Sequence, residues 1–203
     1  MWGRYSSSAE TKLDQDLDVL VDKESGVLKP NAIESMIRNC RRDVPDLIVD
    51  EDELKETYQL SSFMPVLFAL IRKKRARDWF NGIELSATNV GPDNRIELHH
   101  FFPRAVLKES KFPRGLYDDL SNIVFLSQEA NREIRHTLPG NYIEKYIKRN
   151  NIELKRLSDQ FIPLDESLWK LENYEKFLQV RRRSMAKALN DYLGEFGAEY
   201  MVR

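Results

Sequence analysis

The chain has 203 residues, 41% of them hydrophobic and 32% charged, which suits one or two folded domains with a substantial core. Its 32 Lys and Arg nearly cancel its 33 Asp and Glu, so the net charge indicates no partner and any nucleic-acid surface must be local. The single cysteine excludes a disulfide within the chain and a thiolate zinc site.

The first two predicted elements are amphipathic helices. One follows a capping box formed by Ser7 and Glu10, and leucines then recur at helical spacing. The other begins at Asn31, with Glu34 in its first turn. Both patterns favour helices that bury one face.

The next segment is predicted to contain a short helical turn and a long helix. Asp50 and Glu53 are placed to cap the turn. The long helix is expected over residues 62–80, with Pro65 in its first turn, where proline is tolerated. The run RKKRAR has five basic residues in six, and it is interpreted equally as a solvated helix end or as a contact to DNA phosphates. The cations that would make that contact are Lys73, Lys74 and Arg75.

A strand–strand–helix segment follows a loop rich in Asn, Gly, Ser and Pro. RIELHHFFP alternates apolar and polar residues, which predicts a strand that closes with two histidines. NIVFLS is β-branched and aromatic and predicts a second strand. SQEANREIRHTLPG predicts a helix that opens at Ser127 and stops at Pro139-Gly140.

The remaining sequence is predicted to be helical. NYIEKYIKRNNI is expected to begin at an Asn cap, and short helices should flank the Ile162-Pro163 break. NYEKFLQVRRRSMAKALNDYLGEF predicts a long helix. Its RRR triplet is interpreted as partly surface, with roles in packing and in DNA binding both open.

The sequence predicts neither a secretory signal nor a membrane span. MWGRYSSSAE lacks an apolar core, and the longest apolar run, FMPVLFALI, is too short to cross a bilayer. Together with the single cysteine, these features predict a cytoplasmic protein.

His99 and His100 are two of the three histidines in the chain. Adjacent strand residues point to opposite faces, so both can reach one site only if the strand ends or twists there, and the FFP that follows predicts an end. A neutral imidazole accepts a proton from water near neutral pH. One imidazole and one Asn carbonyl can hold a divalent cation and leave positions open for phosphate and water. Metal-assisted phosphodiester cleavage is therefore a reaction that such a site could perform.

The order HHFFP, NIVFL and ANREI on strand, strand and helix resembles the HNH, or ββα-metal, nucleases. It is most similar to the HNH domain in the C-terminal part of GmrSD-type modification-dependent restriction endonucleases. The flanks GRYSSSAETKLDQDL and IPLDESLW…FLQVRRRSMAKALNDYL are also similar, so the resemblance covers nearly the whole chain. It implies a mainly α, α+β fold with an embedded ββα-metal finger. The implied regions are a helical region over 1–90, a nuclease core over 91–140 and C-terminal helices over 141–203 that pack on the first region.

The resemblance also implies roles for single residues. His100 would be the general base, and His99 and Asn131 would be ligands of Mg²⁺ or Mn²⁺. Asn122 would support catalysis by holding the loop that presents His100. DNA would be the substrate, and the further candidates for contacts to it are Arg104, Arg132, Arg135 and His136.

The predicted function is a DNA endonuclease that acts in defence against foreign or modified DNA. NTP use is not supported, since nothing here resembles the family's N-terminal nucleotide-binding domain; such a domain or subunit would be a partner absent from this chain. Two alternatives remain: a catalytically degenerate nucleic-acid-binding module, and a regulatory partner of an NTPase subunit.

Several of these residues also have a purely structural interpretation. The histidine pair could be satisfied by backbone hydrogen bonds at a strand end, and Asn131 could be a surface residue early in its helix. His136 is first interpreted as part of a solvated helix face. The aromatic residues are predicted to be core rather than base-stacking groups: Phe101, Phe102, Trp2, Trp79 and Trp169.

Overall fold

The computed structural model describes residues 8–43, 48–55, 63–91, 93–148 and 153–201. Over these ranges the chain is mainly helical with one two-stranded antiparallel sheet, which confirms the predicted α+β class. The chain divides into two compact units, Met1–Ile48 and Val49–Arg203, and the region boundaries predicted near 90 and 140 both lie inside the second. None of the helices in these ranges is long and apolar enough to span a membrane.

The first unit contains the helices α1 (Ala9–Leu20) and α2 (Ala32–Asp43), which contact each other. Helix α2 starts directly after Asn31, as predicted, with Glu34 in its first turn. Helix α1 starts after Ser8, whose left-handed backbone (φ 52°) carries no side-chain cap. The predicted cap, Ser7, lies outside the described residues.

The second unit surrounds the small sheet with helices. Its α-helices are α3 (Phe63–Lys73), α4 (Arg104–Glu109), α5 (Arg114–Tyr117), α6 (Gln128–Ile134), α7 (Pro139–Tyr142), α8 (Lys155–Ser158) and α9 (Tyr174–Met201). Short 3₁₀ turns cover Asp52–Leu54, Leu120–Asn122, Glu166–Trp169 and Leu171–Asn173, and a π-helical segment, Ile143–Lys148, continues α7. Helix α9 contacts α3, which lies in the predicted first region.

The predicted cap of the short turn is confirmed. Oδ1 of Asp50 accepts from the Asp52 N–H at 2.8 Å, and Oε2 of Glu53 accepts from the Asp50 N–H at 3.0 Å. The two carboxylates thus satisfy N–H groups that the turn itself leaves without a partner.

The sheet pairs β1 (Ile96–His100) with β2 (Ile123–Ser127) in antiparallel register, with His99 opposite Val124 and His100 opposite Ile123. Every residue of β2 is buried, which agrees with the unbroken apolar run over residues 123–126. Ser127 then caps α6 by accepting from the Ala130 N–H at 3.2 Å. The strand–strand–helix order predicted from the sequence is confirmed.

The predicted end of the long helix over 62–80 is wrong, because α3 ends at Lys73. The last residue of α3 with an apolar side chain is Ile71, and the basic run after it offers no further apolar face to bury. Arg75 then adopts a left-handed backbone (φ 53°), and the chain returns to place Trp79 fully inside the core.

The helix predicted to stop at Pro139 is also shorter than expected. Helix α6 ends at Ile134, because Arg135 takes a φ of 49° and leaves the helical conformation. Pro139 instead begins α7 at its first position, where its fixed φ suits a helix start, and Leu138 is the N-cap. The predicted Asn cap at Asn141 is therefore wrong.

The motif aromatics anchor the end of β1 in the core, as predicted. Phe101 and Phe102 are both fully buried, and the Phe101 ring stacks on Phe177 of α9 with centroids 4.7 Å apart. Trp79 and Trp169 are buried as well, whereas Trp2 lies outside the described residues. The residues that precede the motif proline are thus held by packing.

The basic triplet in α9 divides by environment. Arg181 is fully buried and donates to three backbone carbonyls, those of Ser121, Ile123 and Gln160, at 2.7, 2.8 and 3.1 Å. Burial lowers the pKa of Arg181 to about 9. Arg182 pairs with the buried Asp119, while Arg183 is exposed. Arg181 and Arg182 therefore stabilise the packing of α9 against the rest of the unit, which is one of the two roles considered from the sequence.

Candidate functional site

The end of β1 opens onto a groove of about 300 Å³ that both histidines line. Its lining residues are Leu98, His99, His100, Pro103, Arg104, Ala105, Asn131, Arg135 and His136. The strand ends at His100, as the sequence argument required, and the two side chains take different partners: His99 contacts Asn131 of α6 and His100 lies near Asp118. A strand end thus lets two adjacent residues serve one groove.

His99 belongs to a short chain of hydrogen bonds. Its Nδ1 lies 2.6 Å from Oδ1 of Asn131, and Nδ2 of Asn131 donates to Oε2 of Glu97 at 2.6 Å. His99 is 7% exposed, and its Nε2 is buried without a hydrogen-bond partner in the described ranges. A histidine with a purely structural role would be expected to have both ring nitrogens satisfied.

Burial disfavours the protonated, positively charged form of both histidines. It lowers the pKa of His99 to about 4, outweighing the Asn131 hydrogen bond and the Glu97 carboxylate, which favour the charged ring. Burial also lowers the pKa of His100, against the opposing effect of the Asp118 carboxylate. Both rings are therefore neutral at pH 7, the form that binds a metal or accepts a proton.

Asp118 is the centre of a charge cluster beside His100. Arg104 contacts both oxygens of its carboxylate: Nε lies 2.9 Å from Oδ1, and Nη2 lies 3.1 Å from Oδ2. Nε of Arg114 lies 3.5 Å from Oδ2. Nε2 of His100 is 3.5 Å from Oδ1, which is long for a hydrogen bond, so this contact is mainly electrostatic. Asp118 was not predicted from the sequence, because its segment carries no periodic signal.

Asn122 lies behind the groove and does not line it. It is fully buried; its Oδ1 accepts from the Phe102 N–H at 2.8 Å, and its Nδ2 donates to the carbonyls of Phe102 and Tyr117 at 3.0 and 3.2 Å. These bonds fix the backbone that follows His100. The geometry is the one that an orienting role needs, and its importance for catalysis stays a prediction.

The residues predicted to contact DNA divide into two groups. Arg104, Arg135 and His136 line the groove. The others do not line it and make contacts elsewhere: Arg132 with Asp93, Lys73 with Glu195, Lys74 over the Phe161 ring and Arg75 with Glu84.

Arg135 has an unusual backbone, with φ 49° and ψ −118°. A side chain rarely adopts this conformation, and such strain tends to collect at functional sites. By ending α6 here, it places both Arg135 and His136 along the groove.

The donor set can be compared with what a divalent cation needs. Across the described ranges no three His, Cys, Asp or Glu side chains come together as a metal-ligand group. The groove does bring an imidazole nitrogen and an amide oxygen to 2.6 Å, through His99 and Asn131. A neutral imidazole and an amide oxygen are both acceptable ligands for such a cation. At 2.6 Å the two atoms share a hydrogen bond, so a cation bound by both would have to replace the shared proton.

Comparison with known proteins gives one distant similarity. The chain is similar to an uncharacterised protein of the archaeon Methanocaldococcus jannaschii, with 21% identity over 210 residues, covering 89% of this chain and 33% of that protein. The chain therefore spans about a third of the length of this relative. No protein-family model matches the chain, and neither does any solved structure.

Proposed function

We propose that the protein is a metal-dependent DNA endonuclease whose site is a ββα-metal finger built from β1, β2 and α6. The observation that carries this proposal is that His99, His100 and Asn131 line one groove at the end of β1. The HNH-like order of these residues in the sequence supports it. By the same resemblance, we propose a role in restriction of foreign or modified DNA.

His100 is the proposed general base. Its ring is neutral at pH 7 because burial lowers its pKa. Asp118 lies on the Nε2 side and favours a proton on that nitrogen, which leaves the lone pair of Nδ1 to take a proton from the attacking water. Asn122, by holding the backbone of Phe102, keeps this ring in place.

His99 and Asn131 are the proposed metal residues, with Mg²⁺ or Mn²⁺ as the cation. A divalent cation would neutralise charge on the phosphate oxygens during cleavage. His99 can bind it because its ring is neutral, and Asn131 offers an oxygen, the donor atom that Mg²⁺ prefers.

The cationic residues of the groove are the proposed phosphate contacts. Arg135 is exposed and Arg104 has a half-exposed side chain, so both can reach a backbone phosphate. Arg104 is already paired with Asp118, which orients its guanidinium beside His100. We propose that this pair places the scissile phosphate near the base.

The test is the nicking of supercoiled plasmid DNA with Mg²⁺ or Mn²⁺ by the wild-type protein and by His100→Ala. Loss of a general base lowers the rate by about 10²- to 10⁴-fold, and His99→Ala should abolish metal-dependent nicking. Lys187→Gln, an exposed change on α9, is the control for handling and purity.

Three results would count against the proposal. Equal nicking by wild type and His100→Ala would indicate a contaminating nuclease. Salt-dependent DNA binding with no cleavage by the wild type would favour a degenerate binding module. The absence of both binding and cleavage would favour a regulatory partner of another subunit.

A further inference from the structure

Glu97 stands behind the proposed metal residues without lining the groove. It lies two residues before His99 on β1, so both side chains project from the same face of the strand. Its Oε2 is 2.6 Å from Nδ2 of Asn131, and Oδ1 of Asn131 is 2.6 Å from Nδ1 of His99. Two hydrogen bonds therefore connect the three side chains in the order Glu97, Asn131, His99, with Asn131 on α6 and the other two on β1.

The hydrogen bond to Glu97 fixes the orientation of the Asn131 carboxamide. A carboxylate only accepts hydrogen bonds, so the Asn131 atom facing Glu97 must belong to the NH₂ group. The oxygen of the same amide must then face His99. Without Glu97 the two ends of the carboxamide would be almost equivalent, and a turn of about 180° would present NH₂ to the ring.

The orientation decides what the pair can bind. With its oxygen beside Nδ1, Asn131 and His99 offer two lone pairs to a cation, or share the Nδ1 proton when no cation is there. With NH₂ in that place, the amide would donate to Nδ1 and occupy the lone pair that a metal needs. Glu97, which is two hydrogen bonds away from His99, thus decides whether His99 and Asn131 can act as a pair of metal ligands.

We propose that Glu97 is a positioning residue, which holds the carboxamide of Asn131 so that its oxygen, not its NH₂ group, stands beside Nδ1 of His99. The importance of this orientation for catalysis rests on the proposed function. The orientation itself is a property of the metal-free protein, and it can be tested there.

The tautomer of His99 reports the orientation. If the amide oxygen faces the ring, the metal-free protein carries the proton on Nδ1; if NH₂ faces it, the proton is on Nε2. Two-bond ¹⁵N–¹H correlation spectra of the imidazole rings separate these tautomers. The chain has three histidines, so His100→Ala and His136→Ala suffice to assign the His99 signals.

Three variants isolate the effect of Glu97. Glu97→Ala removes the acceptor, whereas Glu97→Gln can still offer an oxygen to Nδ2 of Asn131. Glu133→Ala removes the same charge from an exposed position on α6 and is the matched control. In EDTA at pH 7 we expect a single Nδ1-protonated tautomer in the wild type, Glu97→Gln and Glu133→Ala. Glu97→Ala should show a mixture or the Nε2-protonated form.

Metal binding gives a second readout, followed through the paramagnetic effect of Mn²⁺ on water relaxation. We expect the dissociation constant for Mn²⁺ to rise about tenfold in Glu97→Ala, with a much smaller change in Glu97→Gln and Glu133→Ala. Equal losses in Glu97→Ala and Glu97→Gln with an unchanged tautomer would show that the carboxylate charge itself matters, and would overturn the positioning role.

The two proposals fail in different ways. An Nε2-protonated His99 in the wild type, or an unchanged tautomer in Glu97→Ala, overturns the role of Glu97 even if Mn²⁺ binds and DNA is cleaved. The expected tautomers without any Mn²⁺ binding support the role of Glu97 and overturn the metal-dependent function. Circular dichroism melts of each variant verify that the comparison is between folded proteins.

Discussion

Acidification should destabilise the metal-free protein through His99. Its pKa is about 4 in the folded chain, below the value of about 6.5 for a free imidazole, because the buried ring cannot easily carry a charge. As the pH falls, the unfolded chain therefore binds this proton before the folded chain does. The stability that comes from neutral His99 is present above about pH 6.5 and is lost progressively towards pH 4.

The size of the effect follows from the gap between the two values. A difference of about 2.5 pKa units corresponds to about 3 kcal/mol in the free energy of unfolding when the loss is complete. Between pH 7 and pH 5 the contribution of His99 changes by about 2 kcal/mol, since the unfolded form is then almost fully protonated and the folded form hardly at all.

Urea unfolding at pH 7 and pH 5, in EDTA, measures this contribution for the wild type and for His99→Gln. The wild type should lose about 2 kcal/mol more than the variant over this interval. His100 is present in both proteins, so its own acid sensitivity cancels in the difference. His136→Gln, at an exposed position, serves as a control that removes a histidine without removing a buried one.

Equal losses of stability in the wild type and His99→Gln would contradict a lowered pKa of His99 in the folded protein. That result would mean that the folded protein protonates His99 as easily as the unfolded chain does. The ring would then have a solvent or carboxylate partner at Nε2, contrary to its buried and unpaired state in the structure.

Changes at three positions, with one control, test the surroundings of the groove. Asn122→Ala should reduce the free energy of unfolding by about 3 kcal/mol in urea titrations, because it leaves buried backbone groups without partners. Arg181→Met should cost a similar amount of about 3 kcal/mol, whereas Arg183→Met, at an exposed ion pair, should cost much less in the same assay. Asp118→Asn should lower the pKa of His100 further, since the carboxylate now raises it, and NMR titration of the ring would show this; an upward shift would contradict the assignment.

The sequence predicted the strand–strand–helix order because each of these elements carries a local signal. Residues 123–126 of β2 are continuously apolar, Ser127 caps α6, and the paired strands follow from alternation and burial. The end of α6 at Ile134 was not predictable, since it depends on a positive φ at Arg135 that no local rule favours.

The candidate site shows the same division. Motif order indicated that His99, His100 and Asn131 belong together, and the structure brings all three to one groove. Asp118 reaches His100 only because α4 and α5 turn the chain between the two strands, so no spacing rule could indicate it. Glu97 could have been found, since period two places it on the same face as His99.

Arg181 connects the groove to the last helix of the chain. It donates hydrogen bonds to the carbonyls of Ser121 and Ile123, on either side of Asn122. Phe177, one helical turn earlier, stacks on the ring of Phe101. Residues 91–140 therefore take part of their core from a helix that begins more than thirty residues later. Excised alone, that segment would expose its aromatic residues and leave the start of β2 without its cation, so it cannot be transplanted as a self-sufficient module.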